Sequence, residues 1–265
     1  MRFLCGMEIR RMKTELQILY EDNHVIGVIK PPGLLSQPDG RTPAGSDMLS
    51  AVNDYLRVKY HKPGNAFVGL VHRLDRNVGG TMLFAKTSKG ASRLSAELRE
   101  GRFRKGYFAL AEGTIRKPAG VLVHALYKDE QKNRVTHDPA RGKRCVLIYE
   151  TVAVCGNDTL VFAVPVTGRT HQIRAQLALS GHPLADDVKY GGKRVTPGRL
   201  SYPALWSSVI CVKHPVREET LLLKSAPPSA LPWRAAGEED VSRLCREYLK
   251  GFYEDGFDRL GRLWR

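Results

Sequence analysis

The sequence predicts an α+β fold: a mixed, mostly antiparallel β-sheet with helices packed against it. Three observations predict it. Apolar and β-branched runs of strand length recur along the chain and crowd its second half, from 105–113 to 219–225. Many follow one another directly across turns with hairpin chemistry, so neighbours in sequence pair antiparallel. Only a few segments carry the three-to-four-residue apolar spacing of an amphipathic helix.

The elements follow in chain order. "LQILYEDNHVIGVIKPPG" (16–33) reads as two strands about a polar turn at Glu21–His24, stopped by Pro31-Pro32-Gly33. After a loop rich in Gly, Pro, Ser and Thr, Ser46 is the expected N-cap of a helix with Met48, Leu49, Val52, Tyr55 and Leu56 on one face. In "VGLVHRLDRNVGG" (68–80) a strand gives way to a glycine-rich turn, and "TMLFAKT" (81–87) resumes as a buried strand. "SKGASRLSAELREGR" (88–102) is helical, with Leu94 and Leu98 four apart and Gly101 near its end. "KGYFALAEG" (105–113), "GVLVHAL" (120–126), "CVLIYETVAV" (145–154) and "TLVFAVPV" (159–166) are strands, the last two joined by the hairpin turn Cys155-Gly156-Asn157-Asp158. "TGRTHQIRAQLALSG" (167–181) is a turn leading into a short helix, with Ile173 and Leu177 facing inward and Gly181 as its stop. "PALWSSVICV" (203–212) and "ETLLLKS" (219–225) are strands flanking a turn at His214-Pro215, and "GEEDVSRLCREYLKGF" (237–252) is a helix of mixed charge. There is no internal repeat and no low-complexity linker. The expected organisation is an N-terminal arm at 1–15, one domain at 16–228 and a helical extension at 229–265.

Composition narrows the function. A chain of 265 residues can bury a full core. Its 42 Lys and Arg against 27 Asp and Glu give a formal charge of +15. That points to a polyanionic partner, nucleic acid first, with generic solubility charge as the alternative. No run approaches the roughly 18 apolar residues of a membrane span, so no membrane partner is expected. The N-terminus lacks the apolar core and small-residue cleavage site of a secretory signal. A cytoplasmic location is expected, with a mitochondrial address as the alternative in a eukaryote. The five cysteines form no C-x-x-C pair, and the eight histidines lack ligand spacing. Phosphate-loop, dinucleotide, nucleophile-elbow and H-E-x-x-H patterns are absent. An enzyme with this sequence is expected to work without a metal or organic cofactor. A metal-dependent nuclease would need a carboxylate or histidine cluster that the sequence does not offer.

Two stretches concentrate polar side chains beside glycine: His72–Gly80 and Thr167–Arg174. The second sits at an expected helix N-terminus, where free N–H groups and the helix dipole favour anions. Each alone reads equally as a structural turn; together, in a chain this basic, they favour a nucleic-acid site. In the first, Asp75 stands between Arg73 and Arg76, either as part of a surface ion pair or as a carboxylate held ionised for chemistry. The run Arg102, Arg104, Lys105 reads as a backbone-binding surface, or as merely solvated.

His72-Arg73-Leu74-Asp75, followed by a turn and an apolar strand ending in Ala85-Lys86, resembles the RluA-type pseudouridine synthases. "VIGVIKPPGLLSQP" (25–38), "RKGYFALAEG" (104–113), "TGRTHQIRAQL" (167–177) and "GHPLADDVKYGG" (181–192) are similar to further motifs of that family, in the same order. The resemblance spans about 25–192 and implies a long bent sheet with flanking helices and a central RNA-binding cleft. It implies isomerisation of uridine to pseudouridine in ribosomal or transfer RNA by a monomer, which requires no redox or group-transfer cofactor. A catalytically silent RNA-binding or ribosome-assembly factor on the same fold is the alternative.

The resemblance also assigns roles. Asp75 is the catalytic carboxylate, Arg174 its charge partner and Tyr107 the ring that packs on the target base. Arg73 fills the space left when the nucleotide is flipped out of its stack. His72 supports the loop or meets RNA, Lys30 meets phosphate or caps a strand end, and Arg169, Thr170 and His171 contact RNA or support their loop. One departure stands out. The family carries Thr-Ser-Gly after this motif, and here Val78-Gly79-Gly80 stands, without either hydroxyl.

Overall fold

The computed structural model describes residues 16–43, 45–198, 202–234 and 240–263, so the expected arm at 1–15 lies outside the described residues. Strands β1 (Ile18–Glu21) and β2 (Val25–Lys30) pair antiparallel. Their turn is closed by Asp22, whose Oδ1 accepts the amides of His24 and Val25 at 2.8 Å each. Helix α1 (Met48–Lys59) is capped by Asp47 and not by Ser46. The Asp47 carboxylate accepts the Ser50 amide at 2.9 Å and the Ser50 hydroxyl at 2.7 Å, satisfying an amide that has no partner inside the helix. Two strands follow, β3 (Gly69–Leu70) and β4 (Gly79–Ala85), then helix α2 (Ser88–Arg99), capped by Thr87.

The strand expected before the His72 motif is only two residues long, because the imidazole takes over its pairing. Nε2 of His72 accepts the Leu83 amide of β4 at 3.0 Å. The second half holds β5 (Arg104–Glu112), β6 (Ala119–Asp129), β7 (Arg134–His137), β8 (Lys143–Cys155) and β9 (Asp158–Pro165). Helix α3 (Gln172–Leu179), strands β10 (Leu205–Lys213) and β11 (Thr220–Lys224), and helices α4 (Val241–Lys250) and α5 (Asp255–Gly261) complete the order. The sequence reading missed β7 and α5; the expected residues 237–239 of the α4 helix lie outside the described residues.

The strands form one sheet in the order β1-β2-β4-β10-β5-β9-β8-β6-β7, with β3 added to β4 and β11 to β10. Strands β10 and β4 pair parallel through Trp206–Gly79 and Ser207–Gly80 alone, and every other strand pair among the described residues is antiparallel. From Val209 onward β11 replaces β4 beside β10, so the sheet forks there. Glycines make the fork possible. A Cβ on Gly80, at φ +121°, would lie 2.3 Å from the Ser207 carbonyl oxygen, and one on Gly79 would lie 2.4 Å from the Trp206 ring.

Strand alternation divides the core between the two faces. Tyr107, Ala109 and Ala111 of β5 join Ile26, Val28, Met82 and Phe84 on the face that carries α1 and α3. Phe108 and Leu110 point the other way, onto Phe162, Trp206 and the apolar sides of α4 and α5. Phe108 and Phe162 are fully buried, and each such ring contributes about 1.5–3 kcal/mol by leaving water. Cys145, Cys155, Cys211 and Cys245 are buried and form no disulfide. Among the described residues no helix is long and apolar enough to cross a membrane.

Candidate active site

The Asp75 loop is tied down residue by residue to the segment after β2. Ser36 Oγ donates to the Leu74 carbonyl at 2.8 Å and accepts the Leu74 amide at 3.0 Å. The Gly33 amide donates to the Arg76 carbonyl at 2.8 Å, and Arg76 Nε returns a bond to the Gly33 carbonyl at 3.0 Å. Lys30 is wholly buried beneath them, its Nζ donating to the carbonyls of Pro31, Leu34 and Arg76 at 2.7–3.0 Å. Burial pulls its pKa down to about 7, against the attraction of Asp75.

His72 is buried as well, and burial holds its pKa near 3, so it is a neutral acceptor. Both Lys30 and His72 were expected as RNA contacts or as supports. The structure places both below the surface: the Lys30 ammonium donates to three backbone carbonyls and His72 Nε2 accepts the Leu83 amide, while the buried His72 Nδ1 has no partner among the described residues. Val78 is buried in the core and Gly79 lies under the Trp206 indole. Close packing thus holds the turn where the family has two hydroxyls.

The second wall is the turn between β9 and α3. Thr167 Oγ1 accepts the Val146 amide at 3.1 Å and donates to Gln172 Oε1 at 2.8 Å. Gln172 Oε1 also accepts the Arg169 amide at 3.1 Å, while its Nε2 donates to the Val146 carbonyl at 2.9 Å. This closed set fixes the turn against β8 and brings α3 in with His171 at φ +51°. Arg174, one turn further, is buried and forms a fork with Asp187: Nε to Oδ2 and Nη2 to Oδ1, both 2.7 Å. Its third nitrogen, Nη1, lies 3.3 Å from Asp75 Oδ2. His171 Nε2 approaches the same oxygen at 3.6 Å. Burial lowers the His171 pKa to about 4, although Asp75 pulls the other way, so the ring is neutral at neutral pH.

One pocket joins these walls. It is lined by Asp75 together with four cations, Arg73, Lys105, Arg169 and Arg174, and by Tyr107, His171 and Leu205. Tyr107 reaches it from β5; burial raises its hydroxyl pKa, with Asp75 adding to the effect and a hydrogen bond from Ser207 opposing it. Arg73 and Arg169 are exposed, and Thr170 is half-buried outside the lining.

The basic run at 102–105 is split. Lys105 faces the pocket, half-buried and with a lowered pKa from burial, whereas Arg104 points to the opposite face and pairs with Asp258 of α5 at 2.7 Å. Arg102 is paired with Glu97 and Glu100 in solvent. Asp187, the closest partner of Arg174, was missed by the sequence reading, as was Tyr190, whose hydroxyl meets His171 Nδ1 at 2.8 Å. Among the described residues no group of three or more His, Cys, Asp or Glu side chains is placed to hold a metal ion.

The sequence model of the RNA pseudouridylate synthase family matches residues 24–179. The chain belongs to that family. It is 30% identical over 242 residues to YhcT, an uncharacterized RNA pseudouridine synthase of Bacillus subtilis, covering 89% of this chain and 73% of the relative. It is 33% identical over 223 residues to ribosomal large subunit pseudouridine synthase C of Vibrio parahaemolyticus, covering 83% of this chain and 68% of that one. Among solved structures, human RNA pseudouridylate synthase domain containing 1 superposes with a TM-score of 0.63 at 23% identity, over 81% of this chain and 84% of the other. The RluA-type resemblance and the α+β fold therefore hold, and the synthase is an isomerase acting on RNA.

Proposed function

We propose that this synthase isomerises one specific uridine in ribosomal or transfer RNA, with Asp75 as its catalytic carboxylate. The observation that carries the reading is the meeting of Asp75, Arg174 and Tyr107 at one pocket, from three separate segments of the chain. The reaction breaks the bond between the ribose and N1 of uracil and forms one to C5; the hydrogen on C5 leaves to water, and N1 gains a proton. An ionised carboxylate serves either as the nucleophile or as the electrostatic partner of a cationic sugar. Arg174, itself anchored by Asp187, supplies the opposite charge that keeps Asp75 ionised as a base covers it. Tyr107 packs on the uracil, and Arg73 takes the vacated place in the RNA stack.

Lys105 and Arg169 meet phosphate at the pocket mouth, with Thr170 and His171 supporting their loop. Arg102, held by Glu97 and Glu100, and Arg104, paired with Asp258 on the opposite face, lie outside that contact surface. The catalytic unit is 16–228, with 229–265 as a helical extension, and it acts as a cytoplasmic monomer. Ribosomal RNA is the first substrate to test, since the Vibrio relative is named for the large ribosomal subunit. The test uses RNA tritiated at uracil C5, prepared from cells lacking the gene. Release of label to water without shortening of the RNA is the expected result. Tight binding with no release over many hours would instead favour an RNA-binding factor.

A further inference from the structure

Behind the pocket a chain of polar contacts runs from strand β7 to Asp75. The Val135 amide of β7 donates to the Tyr190 hydroxyl oxygen at 3.0 Å. The same hydroxyl meets His171 Nδ1 at 2.8 Å, and His171 Nε2 stands 3.6 Å from Asp75 Oδ2. We propose that Tyr190 is a positioning residue for the isomerisation: it donates its hydroxyl hydrogen to His171 Nδ1 and so fixes the tautomer whose Nε2–H faces Asp75. The proposal rests on Asp75 being the catalytic carboxylate.

Two sides of the chain agree on where the hydrogens lie. On one side, the buried phenol already accepts the Val135 amide, and a phenol has one hydrogen to give. Among the described residues, the acceptor within hydrogen-bond reach of it is His171 Nδ1. On the other side, the reverse tautomer would turn the Nε2 lone pair toward a carboxylate oxygen, setting two acceptors against each other. The hydrogen bond at one ring nitrogen decides which nitrogen carries the proton. The ring is neutral at neutral pH, so the choice is between these two tautomers.

The consequence concerns the carboxylate's orientation. Arg174 Nη1 and His171 Nε2 both address Oδ2, so the other oxygen, Oδ1, is the one presented to the substrate. The 3.6 Å separation is longer than a hydrogen bond, and contacts of this kind tighten when substrate closes the site. His171 keeps a left-handed backbone at φ +51°, a conformation that persists when its surroundings hold it. The Tyr190 ring also backs the Arg174 guanidinium, 5.0 Å from the ring centre. Tyr190→Phe keeps that packing and removes only the hydroxyl.

The test reads the tautomer directly. Full-length protein with 15N-labelled histidine is measured by NMR, with His171 assigned from the spectrum of His171→Asn; asparagine tolerates the left-handed backbone. The expected wild-type state is Nε2-protonated, and Tyr190→Phe should give a mixture of both tautomers. In the uridine assay Tyr190→Phe should lower kcat about tenfold with KM unchanged, and the double variant with His171→Asn should fall no further than His171→Asn alone. An Nδ1-protonated His171 in the wild-type protein overturns the proposal, as does an unaltered tautomer or an unaltered kcat in Tyr190→Phe. The NMR state does not depend on catalysis. If Asp75→Asn retains turnover, the reading of Asp75 fails on its own while the tautomer result stands.

Discussion

Arg174 and Arg102 each lie against two carboxylates, in opposite surroundings. Arg174 is buried, and its partners are Asp187, 13 residues further on, and Asp75, 99 residues back. Arg102 stands in solvent, with Glu97 and Glu100 supplied by the end of the neighbouring helix. In the first case little water competes, and a missing partner leaves an uncompensated buried charge. In the second, water and salt screen the pair, and two mobile side chains must be ordered to make it. Residue type and charge are the same in both regions; the difference in burial turns one into a fixed part of the pocket and leaves the other as surface.

Substitutions test that contrast in descending order. Asp75→Asn keeps shape and removes charge, and should lower tritium release by about 10³-fold or more while circular dichroism stays unchanged. Appreciable release would take the carboxylate out of the chemistry and make the Arg174 cluster purely structural. Asp187→Ala strands the buried guanidinium and should destabilise the fold by about 3–5 kcal/mol in urea titrations. A loss below about 1 kcal/mol would put Arg174 in the same class as Arg102.

Gly79→Ser drives a Cβ into the Trp206 ring and should destabilise by about 1–3 kcal/mol. A smaller cost in a Trp206→Leu background would identify the indole as the group that excludes the serine.

Acidity offers a gentler probe. Buried His72 and His171 have pKa values lowered to about 3 and about 4, so between those values and about 6.5 the unfolded chain binds the extra protons. Stability should therefore rise with pH across that window, and buried Lys30, lowered to about 7, continues the rise above neutrality; a urea midpoint equal at pH 5 and pH 7 would contradict both histidine shifts. Arg102→Ala should be the mildest, leaving the urea midpoint essentially unchanged. Lys105→Ala, by contrast, should reduce the slope of log affinity against log salt by about 1. Equal salt slopes for the two variants would place Arg102 in the same RNA-contacting class as Lys105.

Much of this was legible in the sequence because it depends on local patterns. Apolar runs of strand length marked β5 and β9, the Leu94–Leu98 spacing marked α2, and the two polar stretches that meet at the pocket were visible as motifs. What was hidden depends on distance in space. In "GHPLADDVKYGG" nothing separates Asp187, which clamps Arg174, from Asp186, which accepts the amides of Val195, Thr196 and Tyr202. The basic run at 102–105 read as one surface, since its pairing with Asp258 spans 154 residues of chain. Strand β7 offers "RVTH", with only Val135 buried, too short and polar to signal a strand. The glycine pair at 79 and 80 read as a turn, whereas its sharper function is to admit a strand more than a hundred residues away.

That late strand has a consequence for the order in which the protein is made. Asp75 belongs to the half of the sheet built from β1, β2 and β4, and Tyr107 to the half built from β5 to β9. Among the described residues the strand that pairs with both halves is β10, Leu205–Lys213. A nascent chain that has released everything up to Tyr202 therefore carries all the proposed catalytic side chains and lacks the strand that zips the halves together. Closure must wait for contacts of long sequence separation, the slow kind to form. During synthesis the pairing that joins the two halves is therefore available only once β10 has been made.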